Sequence, residues 1–121
     1  MTYESVDRVD SAIATGVTYQ VAKVSFARRM DLMRRVRELS RRAEFLEAGK
    51  DTAEKMDAAL LRAEIDRIYL LWGLKGIDGL DLDGKPATPE SLLESGPEEL
   101  FREALAAVRA ATGLSAAERK N

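Results

Sequence analysis

Residues Trp72 to Leu92 read WGLKGIDGLDLDGKPATPESL. An apolar helix end, Ile68 to Trp72, runs here into a link rich in glycine and aspartate. The link closes on Thr88-Pro89-Glu90, a helix-start signal with proline at the first helical position. Gly73, Gly76, Gly79 and Gly84 interrupt any regular element over about a dozen residues. The stretch therefore reads as a turn-rich connection between a helical part before it and a helical part after it.

Working backwards, residues 52–72 read as a helix. Asp51 and Glu54 form a capping box, in which two side chains satisfy free backbone N–H groups. Leu61, Ile65, Ile68 and Trp72 line one face, and Met56, Leu60, Ala63 and Leu70 line another. Two apolar faces predict packing on more than one side. Residues 26–48 read as a second long helix, with Ser25 as N-cap and Gly49 as a left-handed terminator. Its apolar residues Leu32, Val36, Leu39, Ala43 and Leu46 step by four, three, four and three, a heptad seam. Phe26, Met30 and Met33 widen the seam. The short Gly49-Lys50 link makes the two helices an antiparallel hairpin.

Forward of the link, Thr88 caps one short helix, and a second starts near Ser95 or Gly96 with Pro97 first. Leu100, Phe101, Ala104, Leu105 and Val108 form its buried stripe, and Gly113 ends it. Residues 1–24 read as an N-terminal arm or strand. Val17, Tyr19 and Val21 alternate with Thr18 and Gln20, which predicts a strand at 17–23, while 1–15 read as an arm or short helix. No second clear strand is visible, so another chain is the expected partner of the first. The expected fold is mainly α: an antiparallel helical hairpin plus C-terminal helices and one short N-terminal strand. Residues 25–114 form the helical domain and 115–121 a polar tail.

With 121 residues and a net charge of −2, the chain reads as one domain without a general pull toward nucleic acid or anionic lipid. It contains no cysteine and no histidine, which removes thiolate chemistry, the usual general base and the commonest zinc ligand. Cysteine-free composition suits a reducing cytoplasm. The N-terminus lacks a basic segment followed by an apolar one, so no signal peptide is expected, and no apolar run is long enough to span a bilayer.

Three constellations compete with simple packing. The first is the arginine run Arg28, Arg29, Arg34, Arg35, Arg37, Arg41 and Arg42, which could neutralise phosphates. Asp31 stands four before Arg35 and Glu38 four before Arg42, the favourable order for ion pairs. No aromatic residue is interleaved to stack bases. Acidic residues in the second half, Asp78 to Glu99, could also face the arginines. Charge pairing or a protein partner outweighs nucleic acid. The second is Asp81, Asp83, Gly84 and Glu90, which fit four positions of a calcium-binding loop. Gly79 stands where the first ligand belongs and supplies no side-chain oxygen, so a tight turn is the better reading. The third is Trp72, a residue type that anchors interfaces but more often fills a core at the end of an amphipathic helix. No catalytic mechanism assembles from these residues, and an enzyme is not expected.

The succession Trp72-Gly73, Asp83-Gly84-Lys85-Pro86, Thr88-Pro89-Glu90-Ser91-Leu92-Leu93 and a Pro97-led helix resembles the tail assembly chaperones of long-tailed bacteriophages and prophages. The resemblance covers about residues 60–110. It implies a small, acidic, mostly helical protein of the bacterial host cytoplasm. Such a protein binds the tape measure protein, helps recruit tail-tube subunits, and uses no catalytic residue and no cofactor. The residues expected to touch a protein partner are Met30, Met33, Met56, Trp72, Arg34, Arg35 and Arg41, and self-association is expected. The alternatives are a small phage- or mobile-element-encoded regulator that acts by protein–protein binding, and a nucleic-acid-binding helical protein.

Overall fold

The computed structural model describes residues 1–113. Their order is β1 (Val6–Asp10), β2 (Thr18–Ala22), α1 (Phe26–Glu47), α2 (Thr52–Gly73), β3 (Leu74–Asp78), β4 (Asp81–Leu82), β5 (Lys85–Pro86), α3 (Pro89–Ser95) and α4 (Glu98–Ala111). Four helices and two small antiparallel sheets make a mixed α and β fold. The expectation of a mainly α protein with a single strand is overturned.

The first sheet has the order β1-β2-β3. The strand expected at 17–23 is β2, and both its partners come from the same chain. Val9 pairs with Tyr19 and Asp10 with Thr18 on one side, and Ile77 pairs with Tyr19 on the other. The arm or short helix expected at 1–15 thus contains a strand. Val6 and Val9 stand three apart, a helical spacing. As an edge strand β1 stays largely exposed and has no buried alternation to betray it. Asp7, Arg8 and Asp10 place charge on that edge, which discourages pairing with foreign strands.

The link after Trp72 is not irregular either. Helix α2 passes straight into β3, with Leu74 in extended conformation at the junction. A methyl group on Gly73 would come within 2.4 Å of Val108 Cγ1, so glycine there lets α4 press against the helix end. Asp83 and Gly84, both at positive φ (53° and 79°), form the two-residue turn between β4 and β5. That pair of backbone angles matches the hairpin turn whose twist suits flanking strands.

The helical hairpin forms as expected. Ser25 caps α1 by accepting from Arg28 N, and Asp51 caps α2 by accepting from Ala53 N. Two local expectations fail. Gly49 is not left-handed, and the Glu54 carboxylate lies against it instead of returning to the cap: a Cβ on Gly49 would stand 2.8 Å from Glu54 Oε1. At α3, Thr88 and Ser91 form a reciprocal capping box with bonds of 3.0 and 2.8 Å. Pro97 is the N-cap of α4 and not its first residue, so the helix begins one position later than expected. The expected tail at 115–121 lies outside the described residues.

The core gathers where the base of the hairpin meets the sheet. Tyr19, Val21, Leu32, Leu70, Trp72, Leu92 and Val108 are among its buried members. Glu103 of α4 pins the β1–β2 loop to this core: its carboxylate accepts from Ser11 Oγ, Ala12 N, Ile13 N and Tyr19 Oη. The hairpin runs away from that core. Among the described residues, helix α1 packs extensively on α2 and scarcely on any other element. Its only fully buried residues are Leu32 and Ala43.

Candidate protein-binding surface

The base of the hairpin is covered where it meets the sheet and α4, and its far end is uncovered. At the base, Trp72 is 7% exposed. The Arg28 guanidinium lies 4.3 Å above its ring and donates to the Trp72 carbonyl at 2.9 Å. A guanidinium stacked on an indole face gains electrostatic attraction as well as contact. Trp72 is therefore core, and of the residues expected to touch a partner it is the one the fold withdraws from the surface.

The remaining arginines of α1 divide by neighbour. Arg35 pairs with Asp31 at 3.0 Å as expected, whereas Glu38 pairs with Arg41 at 3.6 Å and not with Arg42. Arg34, Arg37 and Arg42 are exposed. The acidic residues of the second half do not meet this run. Asp78, for one, binds Arg8 and Gln20 across the sheet. Such exposed pairs contribute little to stability, about 0–1 kcal/mol each.

A second set of charges fixes α4 to α2. Asp66 accepts from Arg102 at 3.0 Å and from Arg109 at 2.6 Å, and Arg109 also lies 4.1 Å over the Tyr69 ring. Beside it Arg62 grips both oxygens of Glu47 at 3.0 and 2.8 Å, and that bond holds the carboxyl below its usual range. A cleft of about 330 Å³ lies between these groups, bordered by Val36, Ser40, Ile65 and Tyr69. Its arginines are already occupied by carboxylates of this chain.

The methionines are exposed, but they do not share one patch. Met30 and Met33 sit with Phe26 near the start of α1, whereas Met56 lies one turn from the start of α2. At ~1.5 Å per residue the two sites lie about 20 Å apart along the hairpin. Phe26 is 83% exposed near the start of α1, and toward the far end Phe45 is 76%, Leu60 70% and Met56 63% exposed. Phe45 is a surface residue that the heptad seam identifies by omission. It falls between the seam positions Ala43 and Leu46, so it must point away from α2. The second apolar face of α2 is covered only at its C-terminal end. Leu70 is fully buried there, while Leu60 and Met56 on the same stripe are bare.

Asp81 opens β4, Asp83 lies in the β4–β5 turn, and Glu90 belongs to α3. Among the described residues, no three acidic side chains gather in a way that could hold a metal ion. No helix among them is long and apolar enough to cross a membrane. Compared with known proteins, the chain matches no family model, no curated protein and no solved structure at a significant level.

Proposed function

We propose that this protein is a tail assembly chaperone of a long-tailed bacteriophage or prophage, acting in the host cytoplasm on the tape measure protein and helping to recruit tail-tube subunits. The observation that carries this is the far end of the hairpin. Phe45 on the outer side of α1, and Met56 and Leu60 on the outer side of α2, are open to solvent, with no element among the described residues packed over them. Amphipathic helices dock on apolar helical surfaces of this type. Methionine suits a site that must accept many different segments, because its unbranched stem adapts to them. The likeness of residues 60–110 to the family supplies the identity of the partner. The proposed role is binding, with no catalysis and no cofactor.

Co-expression with the tape measure protein encoded beside this chain tests the proposal. The tape measure protein should be soluble only in the presence of the chain, and the two should co-purify. Equal solubility with and without the chain, and no co-purification, would reject the chaperone role in favour of a regulator that binds some other protein.

A further inference from the structure

We propose that the side of the hairpin turned away from α4 is a self-association surface, on which a second copy of this chain docks with its α1 against α2. The inference goes beyond the chaperone role and stands or falls separately from it.

The cleft bordered by Val36, Ser40, Ile65, Tyr69 and Arg109 marks the side of the hairpin that faces α4. Stepping ~100° per residue from those positions carries Leu39 and Leu46 of α1, and Leu61 and Ile68 of α2, to the other side. All four are only partly buried. A shallow depression bordered by Glu38, Arg41, Arg42, Phe45 and Leu46 opens beside it on the outer side of α1. The face is thus a row of half-covered leucines and isoleucine running the length of the hairpin.

Its two margins carry opposite charge. The same stepping puts Arg35 and Arg42 on the α1 margin and Asp57 and Glu64 on the α2 margin, and all four are exposed. Arg35 has only its helix neighbour Asp31, and the other three make no ion pair among the described residues. Their heights match. Arg42 stands six residues before Ala48 and Asp57 six after Asp51, and Arg35 and Glu64 each stand thirteen from the same caps. In an antiparallel hairpin each pair is therefore level.

This pattern selects its occupant. Two copies can bring these faces together about a two-fold axis in either of two directions. With the axis across the helices, α1 lies on α1 and arginine meets arginine. With the axis along the helices, α1 of each copy lies on α2 of the other at the same height. Arg42 then meets Asp57 of the other copy and Arg35 meets Glu64, and symmetry repeats both pairs. The leucine rows close into a four-helix bundle, an arrangement built on the same seam packing. A surface complementary to itself under one two-fold is the mark of an isologous interface. In this arrangement the α4 side of each copy points outward.

Sedimentation equilibrium on the full chain tests this with Arg42→Glu and Asp57→Arg, both at exposed sites that leave the fold intact by circular dichroism. The wild type should be dimeric, and each variant alone should associate roughly tenfold or more weakly, because like charges then face each other twice. An equimolar mixture of the two variants should recover wild-type association, since both pairs regain opposite signs across the two-fold. Pairing within one chain cannot produce that recovery. A wild type that is monomeric at roughly 0.1 mM, or a mixture that associates no better than either variant alone, would overturn the proposal.

Discussion

The Tyr19 hydroxyl donates to Glu103 Oε1 at 2.8 Å, joining the central strand of the sheet to the last described helix. Burial is the first cause that lifts the Tyr19 phenol, and the Glu103 charge adds to it, so its pKa is pushed up to about 12. Partial burial opposes the Glu103 charge, but donors from Ser11, Tyr19, Ala12 and Ile13 outweigh it and hold the carboxyl below its ordinary value. A depressed folded value means stability that is fully present above the unfolded carboxyl range and is lost as pH falls through the folded value.

Glu103→Gln should therefore lower stability at neutral pH by about 2 kcal/mol, the scale of hydrogen bonds to a charged group. It should also flatten the acid limb of the stability profile. Urea unfolding at neutral and at acid pH measures both. An unchanged acid limb in the variant would mean that other carboxylates carry it.

The Gly73 contact gives a sharper packing test. Gly73→Ala drives a methyl group into Val108 and should cost about 1–3 kcal/mol. Val108→Ala in the same chain should recover part of that loss, even though it is destabilising alone. Thermal melts of the two single variants and the double variant close the cycle. Strict additivity would show that the two sites do not touch.

The heptad seam was legible because helix periodicity and capping residues are local properties. Ser25, Asp51 and Thr88 cap where expected. The sheet was not. Strand β1 is an exposed edge with valines three apart, and β3 offers only Leu74 and Ile77 among polar and glycine residues. Each is a strand only because Tyr19 and Val21 between them need neighbours. The hairpin turn Asp83-Gly84 carries a usable signal, the aspartate–glycine pair of tight hairpins, but two-residue strands on either side are too short to show a period of their own. The Glu103 pin joins residues some ninety positions apart, and no local pattern announces it. Of the surface, helical spacing places Met30, Met33 and Met56, but the exposure of Phe45 emerges only once the seam fixes which way α1 faces.

Burial also ranks the hairpin leucines. Leu32 is fully buried and Leu39 only partly. Leu32→Ala should cost about 2–5 kcal/mol, as in other fully buried sites, and Leu39→Ala distinctly less. Comparable losses in chemical denaturation would show that Leu39 is covered as completely as Leu32, for which association at high protein concentration is the first candidate.

The arginine run should not bind nucleic acid with useful affinity. Arg28 is engaged by Trp72, Arg35 by Asp31 and Arg41 by Glu38, and the exposed aromatics of α1, Phe26 and Phe45, stand before and after the run in sequence, not between its arginines. A mobility-shift titration at physiological salt should show no complex. Tight binding that weakens steeply with added salt, as counterion release requires, would favour the nucleic-acid alternative.

The chaperone role is tested most directly at the far end of the hairpin. Phe45→Glu with Leu60→Glu changes two exposed side chains and should leave the fold intact, with stability within about 0.5 kcal/mol of wild type. Wild type and the double variant are each co-expressed with the tape measure protein, and the soluble complex is quantified. The wild type is expected to keep the tape measure protein soluble and to co-purify with it, and the variant to do neither. A variant that holds the tape measure protein as well as wild type does, or a tape measure protein that needs neither, would contradict the role assigned to this surface.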